Sequence, residues 1–203
     1  MTTASCVFRS LLSKYLGSIV SKDGTMDGEI KERTLQGRKA IGELGSVVRG
    51  RSMSMGVKRD LRNSIVLPTL TYGRDLWKWN AAEQSKIRAV EMNYLRTVMG
   101  ITRMDRVSNM EVYEHFGMTE KAVGVNCGVV EWAKRSALRW YGHVRRMPED
   151  RLAKKVYQSD VSGENGRGRP PMTWEGKVEE YIKERVPRGR RGLEVAKEAC
   201  QAR

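Results

Sequence analysis

The stretch Val130–Arg151 reads VEWAKRSALRWYGHVRRMPEDR. At 3.6 residues per turn, Val130, Ala133, Ala137, Trp140, Tyr141 and Val144 share one face of a helix. Arg135, Arg139, Gly142, His143 and Arg146 share the opposite face, with Arg145 beside them. At about 1.5 Å of rise per residue this basic stripe runs roughly 16 Å, enough to follow two or three phosphates of a nucleic-acid strand. Gly142 costs the helix about 1 kcal/mol relative to alanine, and offers in return the close approach of a backbone or a phosphate. A plain solvated cationic face is the alternative reading. Met147-Pro148-Glu149-Asp150 closes this helix and opens another, because proline cannot continue the first and acids suit a new N-terminus.

Composition supports a charged partner. The 203 residues suffice for one sizeable core or two small ones. Lys and Arg number 38 against 24 Asp and Glu, a net charge of +14, which is the footprint of a nucleic-acid or anionic-surface partner. No apolar run has the length to span a membrane. Cys6, Cys127 and Cys200 are too scattered for a disulfide framework or a Cys-x-x-Cys metal site, and His115 and His143 add no cluster, so neither metal nor cofactor is expected. The chain reads as intracellular, in nucleus or cytoplasm. Met1–Val20 has no acid, carries Arg9 and Lys14, and sets Val7, Phe8, Leu11, Leu12, Tyr15, Leu16 and Ile19 on one helical face. That pattern mimics a mitochondrial targeting segment, the less favoured reading of it.

Most of the remaining chain shows capped, helical periodicity. Thr25–Val48 sets Ile30, Thr34, Ile41, Leu44 and Val48 on one side and Lys31, Arg38 and Lys39 on the other, weakened by Gly37, Gly42 and Gly45. After the basic loop Arg49–Ser54, a helix Met55–Val66 is predicted with Val57, Leu61 and Ile65 inward and Pro68 ending or kinking it. Tyr72 and Trp77 are expected in the core, Trp79 more exposed. Asn80 and Glu83 form a capping box for a helix running to Met99 and stopped by Gly100, with Ile87, Val90, Tyr94, Leu95 and Val98 buried and Lys86, Arg88 and Arg96 solvated. Ile101–Val107 reads as a basic connector. Ser108 and Glu111 repeat the box for a short helix closed by Gly117. Thr119 is a cap for the long helix leading into Val130–Arg151, and Asp150–Gln158 is a second short helix. SGENGRGRPPM, to Met172, breaks the pattern and reads as a linker. Thr173 caps a last amphipathic helix through Val186, with Trp174, Val178, Tyr181 and Ile182 apolar, and Leu193–Arg203 follows the basic loop Pro187–Gly192 as a frayed helix.

Four segments carry a family resemblance: KYLGSIVSKDG (Lys14–Gly24), LPTLTYGRDLW (Leu67–Trp77), LRWYGHVRRMPEDR (Leu138–Arg151) and GRGRPPMTWEGKVEEYI (Gly166–Ile182). In this order they resemble the end of the palm, the thumb and the C-terminal region of LINE-type (non-LTR) retrotransposon reverse transcriptases, from about Lys14 onward. The resemblance implies a strand Tyr15–Val20 entering a turn at Ser21–Gly24, where Asp-Gly is a strong turn signal. It also implies a hairpin similar to the one that grips the primer strand, with Tyr15, Leu16 and Gly17 in that role. The family's catalytic aspartates lie upstream of the segment similar to Lys14–Gly24, where only a short leader stands here.

A polymerase needs paired aspartates holding two metal ions, and no Asp-Asp pair occurs in an apolar strand of this chain. Glu149-Asp150 and Glu179-Glu180 read as solvated charge. No nucleophile triad, phosphate-binding Gly-rich loop with Lys, or metal-ligand cluster is present, so the chain alone is read as a non-enzyme. What remains is nucleic-acid binding, of RNA or DNA template–primer, through sequence-independent phosphate contacts. The loop Gly166-Arg167-Gly168-Arg169-Pro170 resembles the core of an AT-hook, whose arginines enter a narrow minor groove; a flexible linker is the competing reading. The expected fold is mainly α, a thumb-like helical bundle with a short N-terminal strand or hairpin and a flexible basic C-terminal region. The expected divisions are 1–24 (palm end and hairpin), 25–117 (thumb-like), 118–160 (long basic and short helix), 161–172 (linker) and 173–203 (C-terminal helical segment). A free-standing nucleic-acid-binding protein and an inert remnant of a decayed element are the competing classes.

Overall fold

The computed structural model describes residues 12–21, 24–50, 52–118, 127–159 and 172–185. It begins with an antiparallel hairpin of β1 (Leu12–Tyr15) and β2 (Ser18–Ser21), in which Tyr15 faces Ser18 and Lys14 faces Ile19. The turn between the strands is Leu16-Gly17, not Ser21–Gly24. Both turn residues have positive φ, 46° and 86°, the backbone of a two-residue turn that matches strand twist. Leucine is rarely found there, and tertiary partners hold it: Tyr72 Oη donates to Leu16 O at 2.7 Å and Arg33 donates to Gly17 O. Gly24 is also at positive φ, and its N–H reaches Ser21 O; that turn leads out of the hairpin instead of joining its strands.

The rest of the described chain is mainly helical, as expected. It contains α1 (Asp27–Arg49), α2 (Met55–Leu61), α3 (Leu67–Leu70), α4 (Ala81–Met99), α5 (Asn109–His115), α6 (Val129–Arg146), α7 (Leu152–Gln158) and α8 (Trp174–Arg185). The capping boxes at Asn80–Glu83 and Ser108–Glu111 form, Gly100 ends α4 in the left-handed conformation, and Thr173 Oγ1 accepts from Gly176 N. The chain divides into two compact units, Met1–Gly73 with Trp79–Trp132, and Arg74–Lys78 with Ala133–Arg203. The segments read as linker, AT-hook and frayed C-terminal helix, and the cap Thr119, lie outside the described residues, as do the leader, Cys6 and Cys200.

In the first unit α1 packs against α4 and α3. Ile30, Ile41 and Val48 meet a core that includes Leu70, Ile87, Val90, Tyr94 and Leu95. Gly37 makes this possible: a Cβ there would fall inside the van der Waals envelope of Leu70 Cδ2 and 3.2 Å from Val90 Cγ1. The glycine is a close-packing site and α1 runs unbroken through it.

Three expectations are corrected here. The helix from Met55 does not end at Pro68: a π-helical turn, Arg62–Val66, stands just before the proline, which cannot donate to the preceding turn, and carries the chain on into α3. Its buried side is Lys58, Arg62 and Val66, while Val57 and Ile65 are exposed. Among the aromatics, Trp77 is buried as expected, but Tyr72 is 47 % exposed and Trp79 only 1 %, because Tyr72 is committed to the hairpin turn.

The inverted face of α2 is explained by one network. Arg62 Nε and Nη2 both donate to Glu91 Oε1, and Arg62 Nη2 reaches Cys127 O at 2.8 Å. Glu91 Oε2 accepts from Tyr113 Oη at 2.7 Å and Val129 N at 3.0 Å. A buried ion pair survives only when its remaining lone pairs and protons are also satisfied, and here they tie α4, α5 and the first residue of α6 together. The long helix therefore starts at Val129, with Cys127 in a bridge before it.

Candidate nucleic-acid interface

α6 carries the cationic face. Val130, Ala133, Ala137, Tyr141 and Val144 are buried, and Trp140 is half-buried. Within the second unit Tyr141 packs with Val178 and Ile182 of α8, flanked by Leu138, Tyr157 and Trp174. Trp174 Nε1 donates to Asp75 O at 2.9 Å, and Ser136 Oγ donates to the Asp75 carboxylate. These contacts fix which side of the helix is turned into the second unit's core.

Arg139, His143 and Arg146 are exposed and Arg135 is half-buried. Gly142, read with them, is itself buried. The Trp140 and His143 rings lie 5.5 Å apart. His143 and Arg146 also line an open recess of about 390 Å³ with Met147, Pro148 and Arg151. Arg145 goes elsewhere: its guanidinium lies 5.9 Å from the Tyr141 ring centre and bonds to Tyr157, whose hydroxyl donates to Glu175 at 2.6 Å. The Tyr157 bond holds the Arg145 pKa above its ordinary value, against a smaller opposing effect of burial. Arg145 thus belongs to the aromatic cluster, whereas Arg139, His143 and Arg146 are exposed and Arg135 is half-buried, with its Nη1 out of solvent.

Arg74 was not among the residues singled out by the sequence. Burial lowers its pKa, the Asp75 carboxylate opposes that, and the Arg139 charge lowers it further, so two guanidiniums share one neighbourhood. Its segment, Tyr-Gly-Arg-Asp-Leu-Trp, lies about 60 residues before α6, and nothing in local periodicity pairs the two. At the end of α6, Lys154 of α7 donates to Arg145 O at 2.8 Å and neutralises the helix C-terminus.

In the first unit Tyr15 and Leu16 stand exposed at the hairpin tip, 68 % and 75 % accessible, with Gly17 against the Tyr72 ring. Beside them is a recess lined by residues that include Lys14, Glu32, Arg33, Pro68, Thr69 and Tyr72. Arg33 pairs with Glu29 at 2.9 Å, and Glu29 Oε2 accepts from Ile19 N at 2.6 Å, so β2 is pinned to α1 by a polar clasp. Arg167 and Arg169 lie outside the described residues. Among the described residues no group of three His, Cys, Asp or Glu is placed to hold a metal ion, and no helix is long and apolar enough to cross a membrane.

Over 128 residues the chain is 28 % identical to an uncharacterised transposon-derived protein of Caenorhabditis elegans, a match covering 62 % of this chain and 44 % of that protein. The chain thus spans less than half the length of that relative. No family model matches the chain, and no solved structure matches it.

Proposed function

From a transposon-derived relative and a helix with one buried and one cationic face, we propose that this chain is the C-terminal part of a LINE-type reverse transcriptase. It comprises the end of the palm, the thumb and the following region, and is non-catalytic by itself. It holds template–primer nucleic acid through phosphate contacts that do not depend on sequence. The observation that carries this reading is the face of α6 on which Arg139, His143 and Arg146 are exposed, with Arg135 half-buried beside them, away from the stripe committed to the core. Guanidinium forks match phosphate oxygens bidentately. The hairpin tip, Tyr15, Leu16 and Gly17, serves the strand end in the same scheme, by its resemblance to the family's primer-gripping hairpin.

The test is binding of a primed duplex as a function of salt. Changing Arg135, Arg139 and Arg146 to Ala should flatten the log–log salt slope by about 2–3 units, near 0.7–0.9 for each lost phosphate contact. Arg139 and Arg146 are exposed, so their loss should leave the helix folded; Arg135 is half-buried, so circular dichroism of the triple variant accompanies the binding measurement. A folded triple variant with an unchanged slope would leave α6 as solvated surface. Arg167→Ala with Arg169→Ala addresses the loop: selective loss on AT-rich duplex favours minor-groove insertion, and a small uniform loss favours a charged linker. With primed template, nucleotides and Mg²⁺ the chain should extend nothing, since its sequence offers no paired metal-holding aspartates; extension that survives repurification would refute the non-catalytic reading.

A further inference from the structure

The chain passes from α1 to α2 through Arg49-Gly50-Arg51-Ser52-Met53-Ser54-Met55. Among the serines and threonines of the sequence, Ser54 alone has arginines both three and five residues before it, and an apolar residue follows it directly. Arg49, Ser54 and Met55 are exposed; Arg51 lies outside the described residues. Gly50 and Ser54 have extended backbone, with ψ of 135° and 154°. The Ser54 hydroxyl accepts from Val57 N at 3.4 Å as the cap of α2. That bond uses an oxygen lone pair and leaves the hydroxyl proton to be given up.

A protein kinase takes its substrate as an extended, accessible segment and selects it by charge pattern. Laid out in such a cleft, Arg49 and Arg51 project to the same side roughly 7 Å apart, and their guanidinium forks match carboxylates bidentately. Met55 offers an apolar side chain to the next pocket. Ser52 fits less well: it has Arg49 three residues before it, no arginine five before, and half-buried Met53 after it.

We propose that Ser54 is a phosphorylation site for an arginine-directed serine/threonine kinase that uses ATP. The Ser54 oxygen attacks the γ-phosphorus, and an O–P bond forms as the bond from that phosphorus to the β–γ bridging oxygen breaks. ADP leaves, and the hydroxyl proton passes to a carboxylate base of the kinase. The phosphoryl oxygens are acceptors that can take over the Val57 N–H, so α2 keeps its cap. The product places a charge of about −1.5 to −2 on this loop. The inference draws on the segment between α1 and α2 and stands apart from the nucleic-acid reading.

The full chain is treated with a purified arginine-directed serine/threonine kinase, ATP and Mg²⁺, and the phosphate is mapped by mass spectrometry of proteolytic fragments. One phosphoryl group per chain, on Ser54, is the expected result. Ser54→Asn removes the acceptor but keeps a side-chain cap for α2, so it should abolish the modification with an unchanged thermal melt. Arg49→Gln with Arg51→Gln should slow it about tenfold or more, again with an unchanged melt. Phosphate on Ser52 or another residue in place of Ser54 would overturn the proposal. So would a folded chain that takes up no phosphate, or a Ser54 rate that the Gln variant leaves unchanged.

Discussion

Replacing Arg62 by Met tests the network that sets where α6 begins. The substitution keeps an unbranched side chain of similar length in a position that is 0 % exposed. It removes the cation from Glu91, which is 1 % exposed, and the donor from Cys127 O. Breaking one side of a buried pair costs about 3–5 kcal/mol. Glu91 keeps Tyr113 Oη and Val129 N as donors, which places the expected loss near the lower end, about 3 kcal/mol. Against a total stability of about 5–15 kcal/mol that is a large fraction, and with an m-value of about 1–3 kcal/mol/M it moves the urea midpoint by roughly 1–3 M. Urea unfolding followed by tryptophan fluorescence reads the shift. Adding Glu91→Gln to Arg62→Met removes the stranded charge and should recover about half of the loss, because an amide can still accept from Tyr113. A single-variant loss below about 1 kcal/mol, within the range of an ordinary neutral hydrogen bond, would refute the reasoning. A double variant weaker than the single would refute it equally.

Two glycines of α1 should respond in opposite directions. Gly42→Ala meets open space and should stabilise by about 0.5–1 kcal/mol; Gly37→Ala presses on Leu70 and Val90 and should destabilise by about 1–2 kcal/mol net of the helix gain. Thermal melts of the two variants check the sign. Tyr94 Oη donates to Lys58 O at 2.6 Å, and burial, partly offset by the Arg62 charge, pushes its pKa up to about 12. The folded state then holds a proton that the unfolded state releases near pH 10, so this contribution is complete below about pH 10 and lost as pH rises toward 12. Tyr94→Phe should cost about 1–2 kcal/mol at pH 7 and should lessen the alkaline decline, as measured by urea midpoints between pH 8 and 11.

The helices were legible because their signals are local. Asn80 with Glu83, Ser108 with Glu111, Gly100 and Thr173 act on backbone groups within one turn, and the apolar stripe of α6 repeats at the helix's own period. The net charge and the outward position of Arg139, His143 and Arg146 belong to the same kind of information. What local pattern could not decide is which cation would be buried. The helical period puts Val57 and Ile65 inward and Lys58 and Arg62 off that side, yet Glu91, Tyr113 and the Cys127 carbonyl, 29 to 65 residues along the chain from Arg62, reverse that choice. Leu16 adopts positive φ for a similar reason: Tyr72 and Arg33 hold the turn from distant positions, against the stronger Asp-Gly signal at Asp23-Gly24. Arg74 beside Arg139 is a meeting of the same sort. A residue's period along the chain fixes its face on a helix, but desolvation and charge pairing act through space, and only the packed structure brings those partners together.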